Sequence, residues 1–345
     1  MTNTLKAKAK GLIFTTAALA ALGAGAAYAD EVFELRLVHN YSTTHYLSQQ
    51  AIMPWVEQVE QRSNGRLKIR VYPASQLGKE QSNLLRYGLA DLALIVPSAE
   101  ASRMPLSSAI ELPIDLGDSC EAAQRIWDAI GQDQPLYREE LKPLGMKPLF
   151  AFALPPYAIM TTNRPVQKME DLTGMKLRAN GGAISKTMRQ LDVVPLSIAS
   201  SEMYDAMSRG TIDGAYLPLN AVKSYSLQNE LDYIIEGVNL GSAADYFVAS
   251  DRIWRELPDD LRTILMDAGR DTQSQLCRWF IENEDATRAE LVASGIQSLQ
   301  IDEKEAARWT NKVDGAIGDW IETMESRNRN GRAVVDSLMS PAHGS

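Results

Sequence analysis

The chain has 345 residues, of which 45% are hydrophobic and 23% charged, and its formal net charge is −9 at pH 7. This is the composition of a globular protein with an acidic surface, which disfavours nucleic acid and anionic membrane faces as partners. Two cysteines and three histidines are too few for a disulfide framework or a metal knuckle.

The N-terminus carries Lys6, Lys8 and Lys10, with no acidic residue before Asp30. An apolar run from Gly11 to about Ala26 follows and ends at Ala27-Tyr28-Ala29, the small-x-small pattern of a cleaved secretory signal. The run is short for ~30 Å of hydrocarbon and no stop-transfer cluster follows it. We therefore expect residues 1–29 to be removed, with Asp30 as the mature N-terminus and the periplasm as destination. Losing 29 residues that hold three lysines and no acid leaves 316 and takes the charge from −9 to −12. That length suits two domains. Cys120 and Cys277 would lie where disulfides form, but spacing does not reveal whether their Cα atoms come within bonding range, so their pairing stays open.

Strand and helix patterns alternate beyond the leader. Phe33 to Val38 reads as a strand, and Thr44 to Gln61 as a helix with Leu47, Ala51, Ile52, Trp55, Val56 and Val59 on one stripe. Leu67 to Tyr72 is a strand, Gly78 to Tyr87 a helix, and Asp91 to Val96 an apolar run suited to a strand buried on both faces. The first hundred mature residues thus predict βαβαβ, the unit of a parallel α/β layer. The pattern restarts with strands at Lys147 to Ala153 and Ala158 to Thr162, separated by Pro155-Pro156, and a short strand at Met175 to Ala179. Gly181-Gly182 opens a helix, and Ser201 is placed to cap another that Gly210 ends. Strands are expected at Ile212 to Leu217 and Tyr246 to Ala249.

From about Asp259 to Ala293 a long helix is expected, with Leu261, Leu265, Ala268, Leu276, Phe280 and Ile281 as buried candidates. A helix of ~30 residues spans ~45 Å, more than one small domain needs, so it is placed to bridge two lobes. A final helix runs from about Glu303 to Glu325, followed by a polar tail without a packing signal.

Motifs for enzymatic chemistry are missing. The chain has no His-Glu-x-x-His, no Gly-x-Ser-x-Gly elbow, no phosphate-loop Gly-Lys-Ser/Thr and no Gly-x-Gly-x-x-Gly. His39 and His45 read as a loop residue and a helix-start residue. No cofactor or metal is expected. What stands out is Leu177-Arg178-Ala179-Asn180-Gly181-Gly182, where an arginine at a strand end precedes a helix start. A guanidinium beside free backbone N–H groups suits a carboxylate; the alternative is a surface ion pair.

Several segments together resemble the DctP-type solute-binding proteins of tripartite ATP-independent periplasmic (TRAP) transporters, over nearly the whole mature chain. Ser63-Asn64-Gly65-Arg66-Leu67 with Tyr72-Pro73-Ala74-Ser75-Gln76-Leu77-Gly78 is similar to the family's "SGGRL…YPxxQLG". Asp171 to Arg178 (DLTGMKLR) resembles "DLKGLKIR", and Glu202-Met203-Tyr204-Asp205-Ala206-Met207 with Gly210-Thr211-Ile212-Asp213-Gly214 resembles "EVYxALxxGxxDG".

The resemblance implies two α/β lobes of the periplasmic-binding-protein kind, a ligand cleft between them, crossing strands and a long bridging helix. We expect 30–154 plus 242–282 in lobe I, and 155–241 plus 283–345 in lobe II. It implies that Arg178 binds the carboxylate of a small organic anion; Asn180, two residues on in the same segment, is expected to line the site with it. Asn40 matches the polar end of the family's first strand, and Glu80 the acidic position after "QLG". The implied partners are integral membrane transporter subunits, which the lobes meet once closed around an anion held by Arg178, the helix start and the Asn40 side.

Three positions depart from polar patterns seen in the family: Ala158 for a second arginine, Leu217 for an asparagine, and Val96 for an acid. An unpaired ligand hydroxyl costs about 1–3 kcal/mol, so this lining favours a monoanion with an apolar or aromatic body. Tyr41, Tyr46, Tyr157 and Tyr216 are the expected walls. A small sulfonate, a hydroxy acid or a C4-dicarboxylate is the alternative, as is a role in ligand sensing at a membrane receptor.

Overall fold

The computed structural model describes residues 31–341, so the expected leader and its cleavage point lie outside the described residues. The strands, in chain order, are β1 (Phe33–Val38), β2 (Leu67–Tyr72), β3 (Leu92–Ile95), β4 (Met146–Ala153), β5 (Tyr157–Thr161), β6 (Lys176–Arg178), β7 (Val194–Leu196), β8 (Gly214–Pro218), β9 (Tyr233–Glu236), β10 (Ala244–Ser250) and β11 (Gln297–Gln300). They form a five-stranded sheet, β2-β1-β3-β10-β4, and a six-stranded sheet, β11-β9-β5-β8-β6-β7. The expected βαβαβ unit is present: β1 pairs in parallel with β2 and β3, through crossovers that hold helices Met53–Arg62 and Gln81–Arg86. Every residue of β3 is buried, as its unbroken apolar run requires.

The expected helix over 44–61 is interrupted. A wide turn at Ser48–Ile52 precedes helix Met53–Arg62, because Pro54 has no N–H for the ladder. The apolar stripe is nevertheless buried as read. Near Ser201 the expected cap is not formed. A tight turn at Ser200–Glu202 leads into helix Met203–Ser208 without a side-chain cap.

The chain passes between the sheets from β4 to β5, through Leu154-Pro155-Pro156, and back from β9 to β10. The long helix, Asp259–Ala293, is the third connection. It packs on β4 and on helices Met53–Arg62 and Ser119–Ala129. Gly269 permits that approach, since a Cβ there would stand 2.8 Å from Phe150 Cδ1. Farther along, Asn220 Nδ2 donates to Thr287 Oγ1 at 3.3 Å, and Arg288 pairs with Glu236, at the end of β9, at 2.7 Å. The expected stripe is buried apart from Ile281, which is 47% exposed.

The C-terminus departs most from expectation. The helix expected over 303–325 divides at Asp314 into Glu303–Val313 and Gly315–Glu325, and a further helix, Gly331–Met339, lies in the stretch read as an unpacked tail. Trp309 and Val313 enter the core of the second sheet. Trp320, Ile321, Met324, Val334, Val335 and Leu338 pack instead with Ile126, Ile130 and Leu141 of the first. Assigning 283–345 as a block to the second lobe does not match this packing. Val334, Val335 and Leu338 form a short helical stripe that the flanking charged and polar residues obscure.

Cys120 and Cys277 form a disulfide with Cα atoms 4.9 Å apart, which ties helix Ser119–Ala129 to the long helix. The sequence separation is 157, a loop whose closure in the unfolded chain is worth on the order of 5 kcal/mol. Replacing both cysteines by alanine is therefore expected to lower unfolding free energy by about 2–5 kcal/mol in denaturant titrations. Reductant should destabilise the wild type and leave the double variant unchanged.

Candidate ligand-binding site

Strand alternation decides which side chains meet between the sheets. In β6, Leu177 enters the apolar cluster that holds Trp309, so Arg178 points the other way, beside its register partner Ala215. Ala215, Leu217 and Ala158 share one cluster with Tyr41 and Tyr46 of the first lobe, and Val96 packs against it. Ala158 and Leu217 are register partners across β5 and β8. Ala158, Leu217 and the arginine are therefore on the same face of the second sheet.

Arg178 is only 9% exposed. Its Nε donates to the Ile198 carbonyl at 3.4 Å and its Nη2 to Ser200 Oγ at 3.3 Å. Among the described residues no carboxylate forms an ion pair with it. Burial pulls its pKa down, against the nearby phenols of Tyr225, Tyr157 and Tyr41. A desolvated cation without an anion is costly by several kcal/mol.

The wall opposite is aromatic. The Tyr41 ring stacks on His45 at 4.2 Å, and His45 lies 4.5 Å from Tyr46 and 5.1 Å from Tyr225. The Tyr41 hydroxyl donates to Asp245 Oδ2 at 2.6 Å. Asp245 is 0% exposed, and burial raises its pKa to about 7 despite the Tyr41 bond. The Tyr46 backbone N–H reaches Ser224 Oγ of the second lobe at 3.2 Å.

The expected site residues separate into groups. Arg178, Tyr41, Tyr157 and Leu217 come together, and Tyr46 joins them. Asn180 is adjacent in a supporting position: its amide both donates to and accepts from the Ile198 backbone, at 3.2 Å each way, and so fixes the carbonyl that holds Arg178. Tyr216 is on the opposite face of β8 from Leu217, in the core behind the sheet, where its hydroxyl donates to the Gly241 carbonyl. Asn40, half-buried, accepts from Ser75 Oγ at 3.2 Å within its own lobe. Glu80 is on the surface, paired with Arg103 at 2.8 Å, away from the cluster.

The helix start expected to help hold the anion is already occupied. Helix Gly182–Gln190 receives the carboxylate of Glu111, which accepts from the N–H of Ala183 at 2.9 Å and of Ile184 at 3.4 Å. Gly181 has φ +105° and a Cβ there would run into that carboxylate, so a side chain would displace the contact. Glu111 is 2% exposed, and burial, offset by these N–H groups, raises its pKa to about 8.

Tyr225, His45, Ser200, Asp245 and Glu111 escaped the motif reading. Asp245 and Glu111 left a trace, each being an acid inside an apolar stretch, AADYF and AIELP. Tyr225 left none. Among the described residues no group of His, Cys, Asp or Glu is placed to hold a metal.

The sequence matches the family described as bacterial extracellular solute-binding protein, family 7 (DctP), over residues 37–323. The chain belongs to that family. The C4-dicarboxylate-binding periplasmic protein of Rhodobacter capsulatus is 28% identical over 73% of this chain and 76% of its own. A marine-metagenome TRAP solute-binding protein specific for aromatic acid ligands, solved with metahydroxyphenylacetate, superposes with a TM-score of 0.81 at 24% identity, covering 89% of this chain and 97% of that one. A TRAP solute-binding protein of Rhodoferax ferrireducens, solved with copurified benzoate, gives 0.78 at 23%, covering 89% and 96%. Members of this family are solute-binding proteins rather than enzymes. They work with membrane subunits and are periplasmic or extracytoplasmic.

The buried acids set a pH dependence. For Glu111 the folded pKa of about 8 lies above the ordinary 4.5, so the folded state binds the extra proton. Its contribution is full below pH 4.5 and is lost as pH rises through 8. Asp245, raised from 3.8 to about 7, acts in the same direction. Denaturant titrations of the apo protein should show stability falling from pH 6.5 to pH 8, above the range in which burial of His39 and His45, which depresses their pKa values to about 4 and about 3, opposes the trend. Glu111→Gln should flatten that slope; an unaltered slope would remove Glu111 as its source.

Proposed function

We propose that this protein is the extracytoplasmic solute-binding subunit of a TRAP-type transporter and captures a monocarboxylate with an apolar or aromatic body. The observation that carries the reading is Arg178, buried and without a carboxylate partner, facing a lining of tyrosines and aliphatic side chains. A ligand carboxylate would take charge-assisted hydrogen bonds there that no protein group makes. Ala158, Leu217 and Val96 offer area but no hydrogen bonds, so a sugar acid would leave hydroxyls unpaired at about 1–3 kcal/mol each. A C4-dicarboxylate would need a second cation, and its second carboxylate would meet Asp245 instead. The aromatic acids bound by two structural relatives agree with this lining.

Capture proceeds by closure of the lobes. The anion sits against Arg178 from the second lobe while Tyr41 and Tyr46 close over it from the first, and water is excluded. The long helix and the two strand crossings keep the lobes in register. The loaded form is then presented to the integral membrane subunits for uptake.

Thermal-shift measurement tests the reading. Benzoate or phenylacetate at about 100 times its Kd should stabilise the protein by about 2.7 kcal/mol, a rise on the order of 5 °C. Arg178→Ala should abolish that rise and leave the apo protein folded with an equal or higher Tm, because it removes an uncompensated buried charge. Arg178→Lys should weaken binding by about tenfold or more, since the bidentate fork is lost. Stabilisation by a sugar acid or dicarboxylate and by no aromatic acid would sink the proposal, as would unchanged affinity in Arg178→Ala.

A further inference from the structure

Two polar atoms in the same cluster are buried without partners. His45 is 1% exposed, and its Nδ1 accepts the Leu47 backbone N–H at 3.1 Å. The proton of the neutral ring is therefore on Nε2, and that N–H is buried and meets no acceptor. Asp245 uses Oδ2 to accept from Tyr41, while its Oδ1 is buried and unpaired. Tyr41 links the two, stacked on the His45 ring and bonded to Asp245. Buried donors and acceptors left unpaired are destabilising. An orphan donor and an orphan acceptor thus flank Tyr41, whose phenol is also among those that act on the charge of Arg178.

We infer that the ligand carries a hydroxyl group in addition to its carboxylate, accepting from His45 Nε2–H and donating to Asp245 Oδ1, so that hydroxy-substituted aromatic acids are the preferred class. This rests on the monocarboxylate reading above and narrows it. A hydroxyl is the small uncharged group that is both donor and acceptor. An ammonium could donate to Asp245 but has no lone pair for His45. A second carboxylate could accept from His45 but would be set against Asp245 in a desolvated space. An unsubstituted aromatic acid would leave both atoms unpaired. His45 and Asp245 thereby become specificity-determining residues, and Arg178 remains the anion site.

Calorimetric titration of the mature protein with phenylacetate, mandelate, 3-hydroxyphenylacetate, 4-hydroxyphenylacetate and phenylglycine decides the matter. The best hydroxylated acid should bind about tenfold tighter than phenylacetate, as one to two net hydrogen bonds imply. Asp245→Asn and His45→Phe should each bring that ratio to within about threefold, with a native circular-dichroism spectrum and a cooperative melt showing that each variant folds. The wild-type ratio decides even if a variant does not fold. The inference is overturned if no hydroxylated acid exceeds phenylacetate, if phenylglycine binds tighter than mandelate, or if both variants keep the wild-type ratio. Binding of no aromatic acid at all would remove the parent reading and this inference together, an outcome distinct from phenylacetate binding without a hydroxyl preference.

Discussion

A guanidinium taken out of water without an anion is the constraint around which the second lobe is arranged. Arg178 has the Ile198 carbonyl and the Ser200 hydroxyl as neutral acceptors, and three phenols close enough to temper its charge. Asn180 spends both ends of its amide on Ile198, so the strap that holds the guanidinium is itself held. Ser200 serves this network as an acceptor. The arrangement keeps a positive charge in place at a net expense in stability.

Glu111 makes that charge singular. A helix start and an arginine in succession would form a broad positive basin, able to take two acidic groups or a phosphate. With the carboxylate of Glu111 set on the N–H groups of Ala183 and Ile184, the helix end is neutralised from within. The same contact joins a segment packed with the first lobe to a helix of the second. Charge selection and lobe contact thus meet at one side chain, which also explains why Gly181 lies beneath it.

How much could be read beforehand follows from the range of the interactions. The βαβαβ unit, the long helix and its buried stripe depend on local periodicity, and they were legible. Arg178 stood out through the contiguous motif of the family resemblance, since an arginine at a strand end could by itself equally have been a surface ion pair. Tyr216 was misplaced by one step of the same alternation: it adjoins Leu217 in sequence but faces the opposite side of β8. Tyr225 and Asp245 reach the site only because separate strands and turns converge there. The disulfide was undecidable, since 157 positions separate its ends. Helix Gly331–Met339 was hidden because its three buried aliphatics follow a run rich in arginine and asparagine, where composition outweighs pattern.

The disulfide also bears on how the two lobes can move. Cys277 lies about midway along a rod of 35 residues whose earlier half is seated on β4. The rod is therefore riveted to one body at its centre and reaches the other only with its far arm, through Thr287, Arg288 and Glu290. Relative motion of the two bodies must be absorbed by that arm together with the backbone at 154–156, at 237–243 and at the break at Asp314. Three flexures and one stiff spar behave as a door on a fixed jamb, with swing permitted and sliding resisted.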